Sequence, residues 1–179
     1  LHDSKDIDLF KRNIKFFKRI KKIFPIKHLG FSIYSLNEIN KTSALGFLPS
    51  YQVPFNILDQ SFINLKIQNK NIVGRSIFLQ GLLINRYVKK KKLPKTLIDS
   101  HKKYLNYLKQ LRIDPLVFQL SFINNTKFFD KFIVGVDNNL QLKEIINCNL
   151  YKKVNKEIIN KINSFFQKKD IDPRKWKII

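Results

Sequence analysis

IDPLVFQLSFIN, residues 113–124, is the stretch on which the fold turns. Leu116, Phe118, Leu120 and Phe122 fall at every second position, the period of a strand with one face against a core. Asp114-Pro115 ahead of them reads as a break that ends whatever precedes it. The spacing therefore predicts a strand over 116–123. Downstream, Phe132, Val134 and Val136 alternate, Asp137-Asn138-Asn139 offers residues that tolerate a turn, and Leu140 and Leu142 alternate again. This predicts a hairpin of strands 131–136 and 140–143 beside the first strand.

Upstream lies RYVKKKKLPKTLIDSHKKYLNYLKQLR, residues 86–112. Arg86, Lys89, Lys90, Lys91, Lys92 and Lys95 have no acidic residue among them, so the run repels itself unless an anion neutralises it. Thr96 to Asp99 reads as a capping box in its Asp form. Behind it Leu97, Tyr104, Leu105, Leu108 and Leu111 recur at helical spacing, with Lys102, Lys103 and Lys109 on the other side. A helix over 96–112 follows, anchored in a core and displaying cations.

The remaining elements are read the same way. Ile7, Phe10, Ile14, Phe17 and Phe24 make one face of a helix over 4–24, which Pro25 stops, and Leu9, Phe16 and Ile23 form a second apolar line at seven-residue spacing. Leu29, Phe31 and Ile33 predict a strand at 29–34, and Ile63, Leu65 and Ile67 another at 62–67. Residues 37–59 read as a long irregular connection, 72–88 as a helix despite Gly74 and Gly81, and 150–168 as the last helix. The expected fold class is α+β, a single domain of about four helices on a small mixed or antiparallel sheet with long irregular basic segments. Its parts would be a basic amphipathic helix at 1–25, a core at 26–169 and a basic tail at 170–179.

Composition adds a strong charge. Lys and Arg number 35 against 13 Asp and Glu, a formal net charge of +22, while 44% hydrophobic residues suffice for a core. Lys outnumbers Arg 29 to 6, Ile occurs 25 times and Ala once, which suits an A/T-rich coding lineage. Such bias explains Lys in place of Arg but does not suppress acids. The charge excess points to a polyanionic partner. Cys148 is the single cysteine, so no internal disulfide can form. A first residue Leu1 rather than Met suggests a processed precursor or a truncated sequence.

Catalytic frames are missing: no GxxxxGK[ST], HExxH, CxxC, GxSxG or GxGxxG occurs. His101 lies near the apolar side of its helix and reads as a packing histidine, Cys148 as a small core residue, and Asp170 with Asp172 as a solvated turn before Pro173. The sequence thus predicts no catalytic residue, no metal site and no cofactor. Its basic clusters instead interleave with Tyr87, Tyr104, Tyr107 and Trp176, the composition of a phosphate-binding surface. The candidate RNA-binding residues are Lys11, Arg12, Lys15, Lys18, Arg19, Lys22, Arg86, Lys89, Lys90, Lys91, Lys92, Lys95, Lys102, Lys103, Arg174, Lys175 and Lys177.

In these lysine clusters at helix ends, long irregular segments and basic tail, the chain resembles an organellar ribosomal protein. The resemblance implies a non-enzymatic, structural RNA-binding component of a mitochondrial ribosome, with ribosomal RNA and neighbouring ribosomal proteins as partners. The alternative expectation is an accessory subunit of a membrane-bound respiratory complex, the 4–24 helix lying on anionic lipid. A third is a nucleic-acid-processing enzyme whose acids come from distant positions.

Overall fold

The computed structural model describes residues 4–42, 49–63, 71–86, 91–129 and 131–178. They form two compact units. The first comprises Leu1–Pro54, Ser61–Arg75 and Phe128–Ile133, the second Phe55–Gln60, Ser76–Lys127 and Val134–Ile179.

The first unit holds helices α1 (Ser4–Arg12), α2 (Ile14–Ile23) and α3 (Leu36–Thr42) and strands β1 (Gly30–Ser32), β2 (Ser50–Pro54), β3 (Ile72–Arg75) and β5 (Lys131–Phe132). The strands make one sheet in the order β1-β2-β3-β5, and every neighbouring pair is parallel. The expected mixed or antiparallel sheet is therefore corrected to a parallel one. Parallel neighbours need crossover connections rather than tight turns, and α3 lies in one such crossover, overlapping the start of the 37–59 stretch expected to be irregular.

Register divides the sheet into two faces. Phe31, Tyr51 and Ile72 are paired and buried on one face; Ser32, Gln52, Val73 and Lys131 line up on the other. Phe10 of α1 joins the first set, edge-on to Phe31 at 5.2 Å and stacked on Phe17 at 4.3 Å. α3 starts as a capping arrangement: Glu38 Oε2 accepts from the backbone N–H of Tyr34 (2.7 Å) and Ser35 (2.9 Å). At its other end the Thr42 and Tyr51 hydroxyls are hydrogen-bonded to each other.

The second unit is built on α4 (Lys95–Gln110), α5 (Pro115–Asn124), α6 (Asn139–Ile146) and α7 (Lys156–Asn163), with the antiparallel pair β4 (Lys91–Lys92) and β6 (Lys177–Ile178). The predicted 96–112 helix is present as α4, but its cap is not Thr96: Pro94 is the N-cap residue, and Thr96 Oγ1 donates to Asp170 Oδ2 at 2.6 Å.

The predicted strand at 116–123 is helix α5. Leu116, Phe118, Gln119, Ser121, Phe122 and Ile123 are all buried, so no polar stripe exposes the helical period and the two-residue alternation is incidental. Asp114-Pro115 is a start rather than a break. Asp114 Oδ1 accepts from the Val117 N–H at 2.9 Å, and proline fits the first helical turn, where its missing N–H is not needed.

Other boundaries shift in kind. The 72–88 helix is replaced by β3 and a tight buried loop with a single 3-10 turn at Leu82–Ile84. The 131–136 and 140–143 hairpin becomes the two-residue β5 and helix α6, whose cap Asn138 accepts from the Gln141 N–H at 2.9 Å. The last helix contracts to α7. Most of the 62–67 strand lies outside the described residues; 61–63 form a turn.

Candidate active-site loops

Within the second unit three loops follow, in the chain, directly on parallel strands: Phe55–Gln60 after β2, the loop from Ser76 to Arg86 after β3, and the segment leading from Val134 into α6 after β5. In α/β folds the segments after the carboxyl ends of parallel strands carry the chemistry, because the scaffold fixes the strand ends while loop sequences vary.

Asn56 organises the first two loops. It is 1% exposed; its Oδ1 accepts from the N–H groups of Leu58 (2.9 Å) and Asp59 (3.1 Å), and its Nδ2 donates to the Ser76 carbonyl at 3.2 Å. An amide does this because it is donor and acceptor at once.

The Ser76–Arg86 loop departs furthest from regular backbone. Ser76, Leu79, Gln80 and Asn85 have φ of 59°, 47°, 55° and 55°, and Gly81 has 82°. Left-handed conformation in non-glycine residues costs on the order of 1–3 kcal/mol each and persists only where surroundings enforce it. Here burial enforces it: Ile77, Phe78, Leu79, Leu82 and Leu83 are all under 8% exposed. Three polar anchors add to this. Tyr104 Oη donates to the Leu83 carbonyl at 2.6 Å, the His101 Nε2 lies 2.8 Å from the Leu82 carbonyl, and the Arg86 N–H donates to the Gly81 carbonyl at 2.8 Å.

α6 is tied to the same loop by an ion pair, Arg86 Nη1 to Glu144 Oε2 at 2.7 Å. Its first turn is set by Asn138 and by Gln141, whose Oε1 accepts from the Asp137 N–H at 2.9 Å.

The titratable groups behave as packing groups. Burial lowers the His101 pKa, against its hydrogen bond to Leu82, and raises that of Tyr104 well beyond the ordinary tyrosine range. Burial likewise raises the Cys148 thiol, with Asp114 adding to the effect. Asp172 is held low, chiefly by the hydrogen bonds and ion pair it makes with Arg174. Among the described residues no three His, Cys, Asp or Glu side chains gather as a metal site, and no described helix is long and apolar enough to cross a membrane.

The cations singled out in the sequence fall in several places. Lys11, Arg12, Lys15, Lys18, Arg19 and Lys22 are exposed along α1 and α2 in the first unit. In the second, Lys95, Lys102 and Lys103 are exposed on α4, Arg86 pairs with Glu144, and Arg174 pairs with Asp172 beside exposed Lys175. The lysine run is not a bare loop where it is described: Lys91 and Lys92 pair as β4 with β6, Lys92 opposite Lys177. Lys89 and Lys90 lie outside the described residues. Trp176 is 4% exposed, its indole N–H donating to the Asp170 carbonyl at 2.8 Å, and Tyr104 is fully buried, so neither presents a ring for base stacking. The Ser76–Asn85 loop is not distinguished in the sequence because Gly81 within an apolar run fits a helix of low propensity as well as a loop.

No protein family's sequence profile matches the chain, and no curated protein matches it. Solved structures do. The glycerol dehydrogenase AKR11B4 from Gluconobacter oxydans superposes with a TM-score of 0.57 at 13% identity, over 92% of this chain and 56% of that one. The aldo-keto reductase AKR11C1 from Bacillus halodurans gives 0.64 in its apo form and 0.61 in its holo form, both at 18% identity and over 86% of this chain. The chain spans little more than half the length of these structures, 56% and 55% for the two forms of AKR11C1.

These likenesses overturn the expectation of a ribosomal protein, and with it a non-enzymatic role, ribosomal RNA and ribosomal proteins as partners, and the respiratory accessory subunit. Charge and lysine clusters set that expectation, and neither is a property of a fold. In fold, the chain is similar to a little over half of an aldo-keto reductase.

Proposed function

We propose that this chain is part of an oxidoreductase of the aldo-keto reductase type, one that interconverts a carbonyl compound and its alcohol, and that its second unit helps hold the redox cofactor. The observation that carries this reading is the buried left-handed loop Ser76–Asn85 in a chain with that fold. When bound, such a cofactor supplies the hydride that, with one proton, turns a carbonyl into an alcohol.

The loop residues fit a phosphate-bearing cofactor. The N–H groups of Leu79, Leu82, Leu83, Ile84, Asn85 and Arg86 are bonded to carbonyls of the loop itself, so the part that would offer backbone N–H to an anion is the left-handed turn at Gln80 and Gly81. α6 of the same unit meets the end of this loop through Glu144, which pairs with Arg86. Asn56, His101 and Tyr104 then act as positioning residues, because each fixes the backbone of this loop through its own hydrogen bond.

Amide hydrogen exchange on the 179-residue protein, with and without a phosphorylated nicotinamide dinucleotide, tests the reading. Protection confined to residues 76–86 and 135–141 is expected. Unchanged exchange there at millimolar dinucleotide overturns it.

A further inference from the structure

Arg75 is the last residue of β3, on the same sheet face as Val73, and its register partner on β2 is Pro54. Its side chain does not stay on its own strand. It crosses β2 to reach β1, where Nε donates to Ser32 Oγ at 3.0 Å, Nη2 donates to the Ile33 carbonyl at 3.2 Å, and Cζ lies 4.2 Å from the centre of the Tyr34 ring. These contacts fix both the position and the plane of the guanidinium. A hydroxyl, a carbonyl and a phenol ring are uncharged, so the three of them hold the cation without cancelling its charge. Ser32 also lines a cavity of about 330 Å³, together with Ser50, Gln52 and Val73 of the same face.

We propose that Arg75 determines the substrate class: the carbonyl compound carries an acidic group, a carboxylate or a phosphate, whose oxygens the clamped guanidinium receives. This rests on the redox reading above and adds the substrate to it. Location supports it, because small molecules bind at the carboxyl ends of parallel strands, and Arg75 and Ser32 are the last residues of β3 and β1. Size limits the compound. A cavity of about 330 Å³ stands at the lower end of the range for ligand sites, about 300–1,000 Å³, so the substrate is compact. Residue type identifies the acid: in a chain where Lys outnumbers Arg 29 to 6, this cation is an arginine, whose planar fork can stack on Tyr34 and meet two oxygens at once. A guanidinium already oriented loses little freedom when an anion arrives.

The test titrates the ¹⁵N-labelled 179-residue protein with two pairs of carbonyl compounds, pyruvate against pyruvamide and dihydroxyacetone phosphate against dihydroxyacetone. Amide shifts at residues 31–34, 50–53 and 73–75 are the readout. In at least one pair the acid is expected to bind at least tenfold tighter than its neutral counterpart, and the pair that shows it distinguishes carboxylate from phosphate. Arg75→Gln should bring the acid down to the affinity of the neutral compound. Arg75→Lys keeps the charge without the fork, and Tyr34→Leu keeps the fork without its aromatic support; each should weaken acid binding at least threefold, which covers the case in which Arg75→Gln does not fold by circular dichroism. Equal binding within both pairs, shifts absent from these residues, or an acid preference unchanged in the folded Arg75 variants would each overturn the proposal. Dinucleotide protection of residues 76–86 without an acid preference would remove this proposal and leave the redox reading standing. An acid preference without that protection would do the reverse.

Discussion

Tyr104 reaches from α4 to the strained loop and donates its hydroxyl hydrogen to the Leu83 carbonyl at 2.6 Å, in a site where both residues are fully buried. The same hydroxyl accepts from Gln119 Nε2 at 3.2 Å, while Gln119 Oε1 is buried with no hydrogen-bond partner. The two bonds are unequal in consequence. Tyr104→Phe strands a buried carbonyl and should destabilise the protein by about 1–3 kcal/mol. Gln119→Leu removes an amide whose oxygen is already unpaired and should change stability by less than about 1 kcal/mol. Urea denaturation of both variants checks the asymmetry; equal losses would contradict it.

Burial of Tyr104 also fixes a pH dependence. Its pKa is raised, so the folded state keeps its proton where an unfolded tyrosine, near ~10, begins to lose it. Stability from this group is complete below that value and declines as pH rises above it. His101 works at the other end: its folded pKa is lowered, so its contribution is complete above the ordinary histidine value of ~6.5 and is lost as pH falls below it. Melting temperature should fall between pH 7.5 and 5, and His101→Asn should flatten that part of the profile.

Asn56 is the next point of leverage. Asn56→Ala removes two acceptor bonds within its own loop and the donor bond to Ser76, all at a buried site, and about 2–4 kcal/mol of stability should go with them. Exchange should speed up at residues 57–60 and 76–80 together. Acceleration in the first loop alone would show that Asn56 does not couple them.

Much of this architecture was legible where a residue pattern has one physical cause. Ile7, Phe10, Ile14 and Phe17 marked residues 4–24 as helical, although the structure divides that helix at Asn13 into α1 and α2; Leu97 to Leu108 marked α4, which has one wet and one dry side; and Phe31 and Ile33 marked β1, although β1 is buried on both faces. α5 was misread because it is dry on most sides, and Asp114-Pro115 serves equally as an end and a beginning. β3 and β5 span four and two residues, too few for alternation to register, and their parallel pairing depends on partners remote in sequence. The candidate loops were hidden for a related reason. Left-handed φ at Leu79 and Gln80 is imposed by packing, and neither residue type announces it.

The parallel sheet makes its own prediction through two glycines. Gly30 of β1 pairs with Ser50 of β2, and a Cβ at residue 30 would fall onto the Ser50 carbonyl oxygen, which is main chain and cannot rotate away. Gly30→Ala must therefore separate the two strands or tilt β1, breaking the neighbouring bonds from Ser50 N–H to the Leu29 carbonyl (2.8 Å) and from Ile33 N–H to the Gln52 carbonyl (2.9 Å). Overpacking against backbone costs at least about 1–3 kcal/mol, and the lost pairing adds to it. Gly135, in the segment after β5, has nothing within 4 Å of its Cβ position and no positive φ. Gly135→Ala restricts the unfolded chain alone and should be neutral or stabilising by about 0.4–1 kcal/mol. Chemical denaturation of the two variants side by side decides the matter: if Gly30→Ala is tolerated as well as Gly135→Ala, β1 and β2 are not paired in the register described.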